Sequence, residues 1–267
     1  MAGAARPVLA VVDLTAGLVG YGAALRLQER LADLRREGAV PDTLLLLQHE
    51  PVYTVGKRGS LADFRNGVEA VTSHGAAVAH VPRGGETTYH GPGQLVAYPV
   101  LALRGLGLGA RAYVEALEDA VIAVAGAWGV PARGRVPGRT GVWVGERKLG
   151  AVGVRISRGA TTHGLALNVD TDLSAFAAIV PCGAPDRAAT SLAAEVRAAA
   201  PLGLAAPAAQ LTEALARTLR CGGVERVAGL GGLSPLLAEE FACLSQGSAA
   251  TAAAAAAAAD SVDAAAL

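Results

Sequence analysis

The sequence predicts an α/β (α+β) domain, a mixed sheet with packed helices. Short apolar runs of strand length, such as residues 43–48, lie between longer segments with helical periodicity. Two of those segments, 18–37 and 109–127, are long enough to be helices of several turns. Strands and helices do not alternate strictly, which argues against a doubly wound parallel sheet and for a mixed one.

Residues 8–14 read as a first strand and 18–37 as an amphipathic helix. Ala24, Leu27, Leu31 and Leu34 fall at spacings of three and four, while Arg26, Glu29, Arg30, Asp33 and Arg36 take the other faces. Gly38 ends the helix, since glycine takes the left-handed cap conformation without a Cβ penalty. The continuous apolar run 43–48 suits a strand covered on both faces. His49, Glu50 and Pro51 break it, and 52–55 resumes extended structure. Residues 77–81 and 95–100 read as strands flanking a loop at 83–94. In the second helix, Tyr113, Leu117, Val121 and Val124 lie near helical spacing. Residues 142–144 and 149–156 read as a β-hairpin turning through Gly145, Glu146, Arg147 and Lys148, with Lys148 at its returning edge. A strand at 165–169 and closing helices at 207–220 and 234–245 complete a single domain over residues 1–245. Residues 246–267 are nearly all Ala, Ser, Gly and Thr, with Val262 and Leu267 the large apolar side chains. They read as a low-complexity tail outside the domain, because so short an isolated helix is marginal in water.

The chain has 267 residues, 52% of them hydrophobic but only 4% aromatic, so the core is built mainly from Ala, Val and Leu. No apolar run reaches the length of a membrane span, and the first residues lack the apolar core of a secretory signal, so a cytoplasmic enzyme is expected. The cysteines (Cys182, Cys221, Cys243) are odd in number and form no CxxC, which suggests neither a zinc knuckle nor a disulfide framework. Cys221 and Cys243 lie in helix-like segments and read as small apolar residues. Cys182, between Pro181 and Gly183, reads as a turn cysteine.

Net charge is zero, yet residues 133–158 carry Arg133, Arg135, Arg139, Arg147, Lys148, Arg155 and Arg158 against Glu146 alone. Such a segment either steers an acidic protein partner or is a solvated face balanced by carboxylates elsewhere in the fold. Nucleic acid is disfavoured by the near-neutral balance and the scarcity of stacking aromatics.

The stretch 83–94, Arg-Gly-Gly-Glu-Thr-Thr-Tyr-His-Gly-Pro-Gly-Gln, holds four glycines among a guanidinium, two threonine hydroxyls and an imidazole. Glycine lets backbone come close to a ligand, so this reads as a ligand-handling loop at a sheet edge. Lys148 and Cys182 are 34 residues apart, and from spacing alone they read as an exposed ammonium and a buried thiol.

Four ordered blocks change that weighting: 83–94; Gly-Arg-Thr-Gly-Val-Trp-Val at 138–144 with Lys148; His-Gly-Leu-Ala-Leu-Asn at 163–168; and Pro-Cys-Gly at 181–183 followed by Thr190-Ser191-Leu192. Together they resemble the LipB-type lipoyl(octanoyl) transferases over most of residues 8–245. The resemblance implies a domain similar to the catalytic domains of biotin and lipoate protein ligases. It implies an acyltransferase that moves an octanoyl or lipoyl group from acyl carrier protein to lipoyl domains, those of 2-oxoacid dehydrogenase complexes and the glycine cleavage H protein. Cys182 would carry the acyl thioester and Lys148 would be its partner. Arg83, Gly84, Gly85, Glu86, Thr87, Thr88, Tyr89, His90, Ala151, Val152, Gly153, Gly164, Leu165 and Ala166 would bind substrate. Neither metal nor cofactor is implied, because the acyl donor arrives activated; nucleic acid and membrane are not expected partners.

The chemistry fits those residue types. A thiolate exchanges readily with a thioester, but a free cysteine, with a pKa of about 8.5, is only slightly ionised at neutral pH. A lysine can take the proton or stabilise the thiolate as an ion pair. Small residues at 151, 153, 164 and 166 would let an acyl chain lie against backbone, and backbone N–H groups near Gly164 or Cys182 could form an oxyanion hole. His90 and His163 are assigned no role as base. The alternatives are an ATP-dependent lipoate or biotin ligase on the same fold, which would not need Cys182 as a nucleophile, and a non-catalytic module that holds acylated carriers.

Overall fold

Side-chain alternation on the second strand divides the core in two. Leu44 and Leu46 enter one apolar layer and Leu45 and Leu47 the other, all four fully buried. The same period-two division holds on the neighbouring strand, where Leu95 and Ala97 face the first layer and Val96 and Tyr98 the second. A central sheet covered on both faces follows directly.

The computed structural model describes residues 6–180 and 188–245. Its strands are β1 (Val8–Val19), β2 (Asp42–His49), β3 (Val52–Val55), β4 (Ala77–His80), β5 (Thr87–His90), β6 (Gln94–Val100), β7 (Val142–Val144), β8 (Arg147–Ser157), β9 (Ala160–Asn168) and β10 (Gly223–Arg226). The main sheet has the order β10-β1-β2-β6-β9-β8-β7, parallel from β10 to β2 and antiparallel from β2 to β7. Helices α1 (Tyr21–Glu37), α2 (Val68–Thr72), α3 (Leu103–Leu106), α4 (Ala110–Ala127), α5 (Leu192–Val196), α6 (Ala205–Thr218) and α7 (Pro235–Glu240) surround it. Leu27 and Leu31 of α1 and Leu237 of α7 bury on one face; Leu117 and Val121 of α4 and Leu211 and Leu215 of α6 bury on the other. The expected mixed sheet with packed helices is the observed architecture.

A second, three-stranded sheet, β4-β3-β5, is inserted in the chain between β2 and β6, which are themselves neighbours in the main sheet. This placement makes the junction of the two sheets, at His49 and His90, a natural site for a cavity. It also revises the expectation for residues 83–94. That stretch is not one loop: Thr87–His90 form β5, paired antiparallel with β3. Glycines on both sides obscured the short threonine-rich strand within them.

Other boundaries differ in instructive ways. The first strand runs to Val19 rather than ending at 14, and α1 starts at Tyr21 rather than 18, because residues 18 and 19 pair with β2 after a bulge. β9 begins at Ala160, five residues before the expected strand, and its polar start at Thr161 and Thr162 is buried. The closing segment 234–245 is helix α7 followed by a 3₁₀ turn. α2, α3, α5 and β10 have no counterpart in the sequence reading; each is four or five residues long, too short for a periodicity to register.

One bulge aims the site. Val142 pairs with Gly150 but Trp143 pairs with Lys148, so β8 carries Leu149 as an extra residue. Leu149 drops fully into the core, and Lys148, Ala151 and Gly153 all line the same cavity. In an unbulged strand, strict alternation over three residues would put Lys148 and Ala151 on opposite faces.

Close packing of strands also fixes Gly164 on β9. A Cβ there would overlap the Ala97 carbonyl oxygen and approach Pro99 Cδ to 2.7 Å. Gly164→Ala is therefore expected to force β6 and β9 apart and to lower unfolding free energy by about 1–3 kcal/mol. Denaturant titration checks this; a midpoint equal to wild type would mean that the strands separate at no cost.

Candidate active site

The cavity lies where β8 and β9 meet the second sheet. β8 and β9 contribute its floor through Lys148, Ala151, Val152, Gly153, Gly164, Leu165 and Ala166. Arg83, Gly85, Glu86, Thr87, Thr88 and His90 form the opposite wall. The wall is laced to the floor by backbone: Gly84 N–H donates to Val154 O at 3.0 Å. A Cβ on Gly153 would meet Gly84 O at 2.8 Å, so only glycine allows that approach.

Of the sequence-derived substrate candidates, Gly84 and Tyr89 do not line the cavity. Gly84 serves the backbone lacing just described, and Tyr89 packs against Tyr53 and Phe176 beneath β5. Cys182 lies outside the described residues. Lys148 is half-buried, with Nζ 4.8 Å from the centre of the Trp143 ring, its bulge partner. Lys148 N–H donates to Ala188 O at 3.0 Å, and Thr190 N–H donates to Lys148 O at 2.9 Å.

Behind the wall runs a buried chain of hydrogen bonds. Arg83 is 7% exposed, and its Nη2 donates to Thr54 O (2.8 Å) and Thr54 Oγ1 (2.6 Å) while Nη1 donates to Gly84 O (3.1 Å). The Thr54 hydroxyl donates onward to His90 Nε2 at 3.3 Å. His90 Nδ1–H donates to Gln94 Oε1 at 2.7 Å, and Gln94 Nε2 donates to Asn168 Oδ1 at 2.9 Å. Asn168 Nδ2 donates to Thr190 O at 2.9 Å, which returns the chain to the segment bonded to Lys148. Every donor meets an acceptor, so the chain fixes each amide and the tautomer of His90. The sequence reading missed Thr54 and, although Gln94 and Thr190 fall within its ordered blocks, gave neither a role; their partners are 29, 74 and 22 positions away.

Electrostatics keep this region's histidines neutral. Desolvation, opposed by the Val19 carbonyl that accepts from Nδ1, pushes His49 down to about 4. Desolvation followed by the Arg83 charge pushes His163 down to about 3. Burial, then His49 and Arg83, hold His90 well below the ordinary imidazole range. Arg83 is itself lowered by burial but remains a guanidinium cation, and among the described residues no carboxylate lies in ion-pair range of it.

The arginines of the basic segment are paired within the fold. Arg133 and Arg139 both pair with Glu146, Arg135 with Asp119, Arg147 with Glu195 (2.9 Å), Arg155 with Glu29 (3.7 Å) and Arg158 with Asp33 (3.9 Å). Each arginine of the segment has a carboxylate close by, mostly from α1, α4 or α5, so the charge excess along the chain is largely compensated in the fold. Glu118 of α4, buried, accepts from Arg135 N–H (2.9 Å) and Gly141 N–H (2.7 Å) and pins the 135–141 loop at the cavity mouth. Cys221 packs against the core, and burial pushes its thiol up to about 11, which removes it as a nucleophile at neutral pH.

Comparison with known proteins agrees with this geometry. Residues 20–218 match the lipoyl protein ligase A/B catalytic domain. The chain belongs to this family, on its LipB-type octanoyltransferase branch. It is 50% identical over 176 residues to a mitochondrial octanoyltransferase of Arabidopsis thaliana, covering 66% of this chain and 75% of the relative. It is 50% identical over 182 residues to an octanoyltransferase of Solibacter usitatus (68% and 82% covered) and 46% identical over 206 residues to one of Chloroflexus aggregans (76% and 90%). In fold it is similar to a lipoate-protein ligase A bound with ATP (TM-score 0.64, 15% identity, 89% and 94% covered). It is also similar to a bipartite lipoate protein ligase of Thermoplasma acidophilum (TM-score 0.63, 17% identity, 89% and 92% covered). The protein is accordingly an acyltransferase of lipoylation. No helix among the described residues is long and apolar enough to cross a membrane, and among them no cluster of three or more His, Cys, Asp or Glu could hold a metal.

Neutral buried histidines make stability depend on pH. Their folded pKa values lie below the unfolded value near 6.5, so the unfolded chain takes up protons first as pH falls. Stability is full above about 6.5 and falls through the interval down to about 4, by up to about 1.4 kcal/mol per pH unit for each histidine. The melting temperature at pH 5 should therefore sit several degrees below that at pH 7.5. An equal or higher value at pH 5 would contradict neutral burial of His49 and His163.

Proposed function

We propose that this chain transfers an octanoyl or lipoyl group from acyl carrier protein to a lysine of lipoyl domains, through a thioester on Cys182. The acceptors would be the lipoyl domains of 2-oxoacid dehydrogenase complexes and the glycine cleavage H protein. One observation carries the reading beyond family membership. Ala188, six residues after Cys182, is hydrogen-bonded to the backbone of Lys148, and Val180, two residues before Cys182, is bonded to Asp63 O at 2.8 Å. Asp63 also accepts from the hydroxyl of the cavity residue Thr87 at 2.5 Å. Both approaches to Cys182 are thus tied to the cavity walls.

In the first half-reaction the Cys182 thiolate attacks the thioester carbonyl of the donor. A C–S bond forms, the carrier's sulfur leaves, and Lys148 returns a proton to it. In the second, the lysine ε-amine of the lipoyl domain attacks the acyl-cysteine, an amide forms, and Cys182 leaves as thiolate. Lys148 accepts the proton that the attacking amine sheds. Thioester exchange is nearly isoenergetic and amide formation is downhill, so the sequence requires neither nucleotide nor metal. The floor of Ala151, Gly153, Gly164 and Ala166 gives the acyl chain an apolar bed. Burial of its methylenes at about 0.8 kcal/mol each supplies an anchor of roughly 5–6 kcal/mol.

Intact-protein mass after mixing with octanoyl carrier protein, without ATP, tests the thioester. Wild type and Cys221→Ala should gain an octanoyl group and Cys182→Ala should not. An adduct on Cys182→Ala would sink the assignment, and acylation that appears only with ATP would favour the ligase chemistry.

Lysine's role is tested separately. Arginine keeps a positive charge but passes no proton at any working pH. If Lys148 moves protons, Lys148→Arg should lose about 10²–10⁴ in rate, nearly as much as Lys148→Ala. Near-wild-type turnover by Lys148→Arg, with an unchanged pH–rate profile, would show that charge alone suffices.

A further inference from the structure

Among the described residues that line the cavity, Glu86 is the one carboxylate, in a lining that also carries Arg58, Arg83, Arg139 and Lys148. Its backbone is fixed from both sides. Arg58 N–H donates to Gly85 O at 3.0 Å just before it, and Thr87 begins β5 just after it. Glu86 also stands where the cavity opens. Together with Arg58, Gly138, Arg139 and Thr140 it lines both the cavity and a shallower groove alongside α4.

The carboxylate is poorly satisfied within the fold. Its Oε2 is buried without a hydrogen-bond partner among the described residues. Its Oε1 lies 3.9 Å from Arg58 Nε, too far for a hydrogen bond. The Arg58 side chain is 67% exposed, so this contact is loose and contributes little. The other carboxylates of the groove are occupied: Glu115 pairs with Arg111 at 2.8 Å, and Glu118 accepts from two backbone N–H groups. Glu86 is thus an anion held at the cavity mouth with the capacity to meet a further cation.

Resting on the reading that a lysine of the lipoyl domain discharges the acyl-cysteine, we propose that Glu86 receives the ε-ammonium of that lysine at the cavity mouth. A lysine side chain, with a pKa of about 10.4, arrives protonated at neutral pH. It approaches a cavity whose lining holds three guanidinium groups, those of Arg58, Arg83 and Arg139, and like charges repel. Glu86 offsets that repulsion where the lysine enters. When the amine moves on to the thioester it sheds its proton to Lys148, and Glu86 neither gains nor loses one. The thioester end of the donor is uncharged, so the first half-reaction makes no such demand on Glu86.

The test isolates the second half-reaction by discharging preformed octanoyl-enzyme and following it by intact-protein mass. With a subsaturating lipoyl domain as acceptor, Glu86→Gln should discharge about tenfold more slowly than wild type. Glu86→Asp, which keeps the charge, should recover most of that loss, and the difference between Glu86→Gln and wild type should shrink as salt is added. With hydroxylamine, a nucleophile uncharged at neutral pH, Glu86→Gln should discharge at the wild-type rate, whereas damage to the cavity wall would slow both nucleophiles. Equal discharge to the lipoyl domain by Glu86→Gln and wild type, or equal slowing toward both nucleophiles, would overturn the role of Glu86 and leave the transfer reading intact. A wild-type protein that forms no octanoyl-enzyme would instead overturn the transfer reading itself, and this proposal with it.

Discussion

Arg83 carries a full charge almost wholly out of water, and the site is organised around the need to bear it. Its partners are neutral oxygens, from Thr54 and Gly84, rather than a carboxylate. An uncompensated buried cation is expensive unless its donors are met and its neighbours stay uncharged. Both conditions hold here. Three acceptor contacts meet the guanidinium, and His90 and His163 are kept neutral by burial with help from the same charge. Burial foremost, with the cation adding to it at His90 and His163, keeps these histidines neutral and makes them weak bases.

The hydrogen-bond chain that starts at Arg83 ties together parts of the fold that are remote in sequence. Thr54 lies on β3, His90 on β5, Gln94 on β6 and Asn168 on β9, and the chain ends at Thr190, bonded to Lys148 on β8. The small sheet thus orients the large one at the point where the chemistry is proposed. Asn168 and Gln94 each donate and accept within the network, which fixes the orientation of both amides. Such a network is rigid when complete and costly when broken.

Lys148 owes its place to a different device. The bulge at Leu149 turns Lys148 onto the cavity side and lays its ammonium against the Trp143 ring. A bulge costs regular pairing, but it lets one strand present a core leucine and a cavity lysine in succession. The arginines of the segment to which Lys148 belongs each meet a carboxylate, and Lys148 differs from them in lining the cavity.

Much was legible in the sequence because it depends on neighbours along the chain. Helix α1 and α4 announce themselves through apolar spacing, β2 through an unbroken apolar run, and the β7–β8 hairpin through its turn. Family-specific blocks pointed to Lys148, to the 83–90 wall and to the small residues of β8 and β9. What only the tertiary structure decided involves partners far apart in sequence. Residues 87–90 hold strand-favouring Thr and Tyr in a run too short to register among glycines, and the pairing with β3 makes them a strand. Arg83 is buried because two sheets close over it, and His163 takes its left-handed conformation because Gln28 accepts its N–H. The charge run at 133–158 looked like a surface patch because its compensating carboxylates come mostly from other helices, which no reading of a linear charge pattern can bring together.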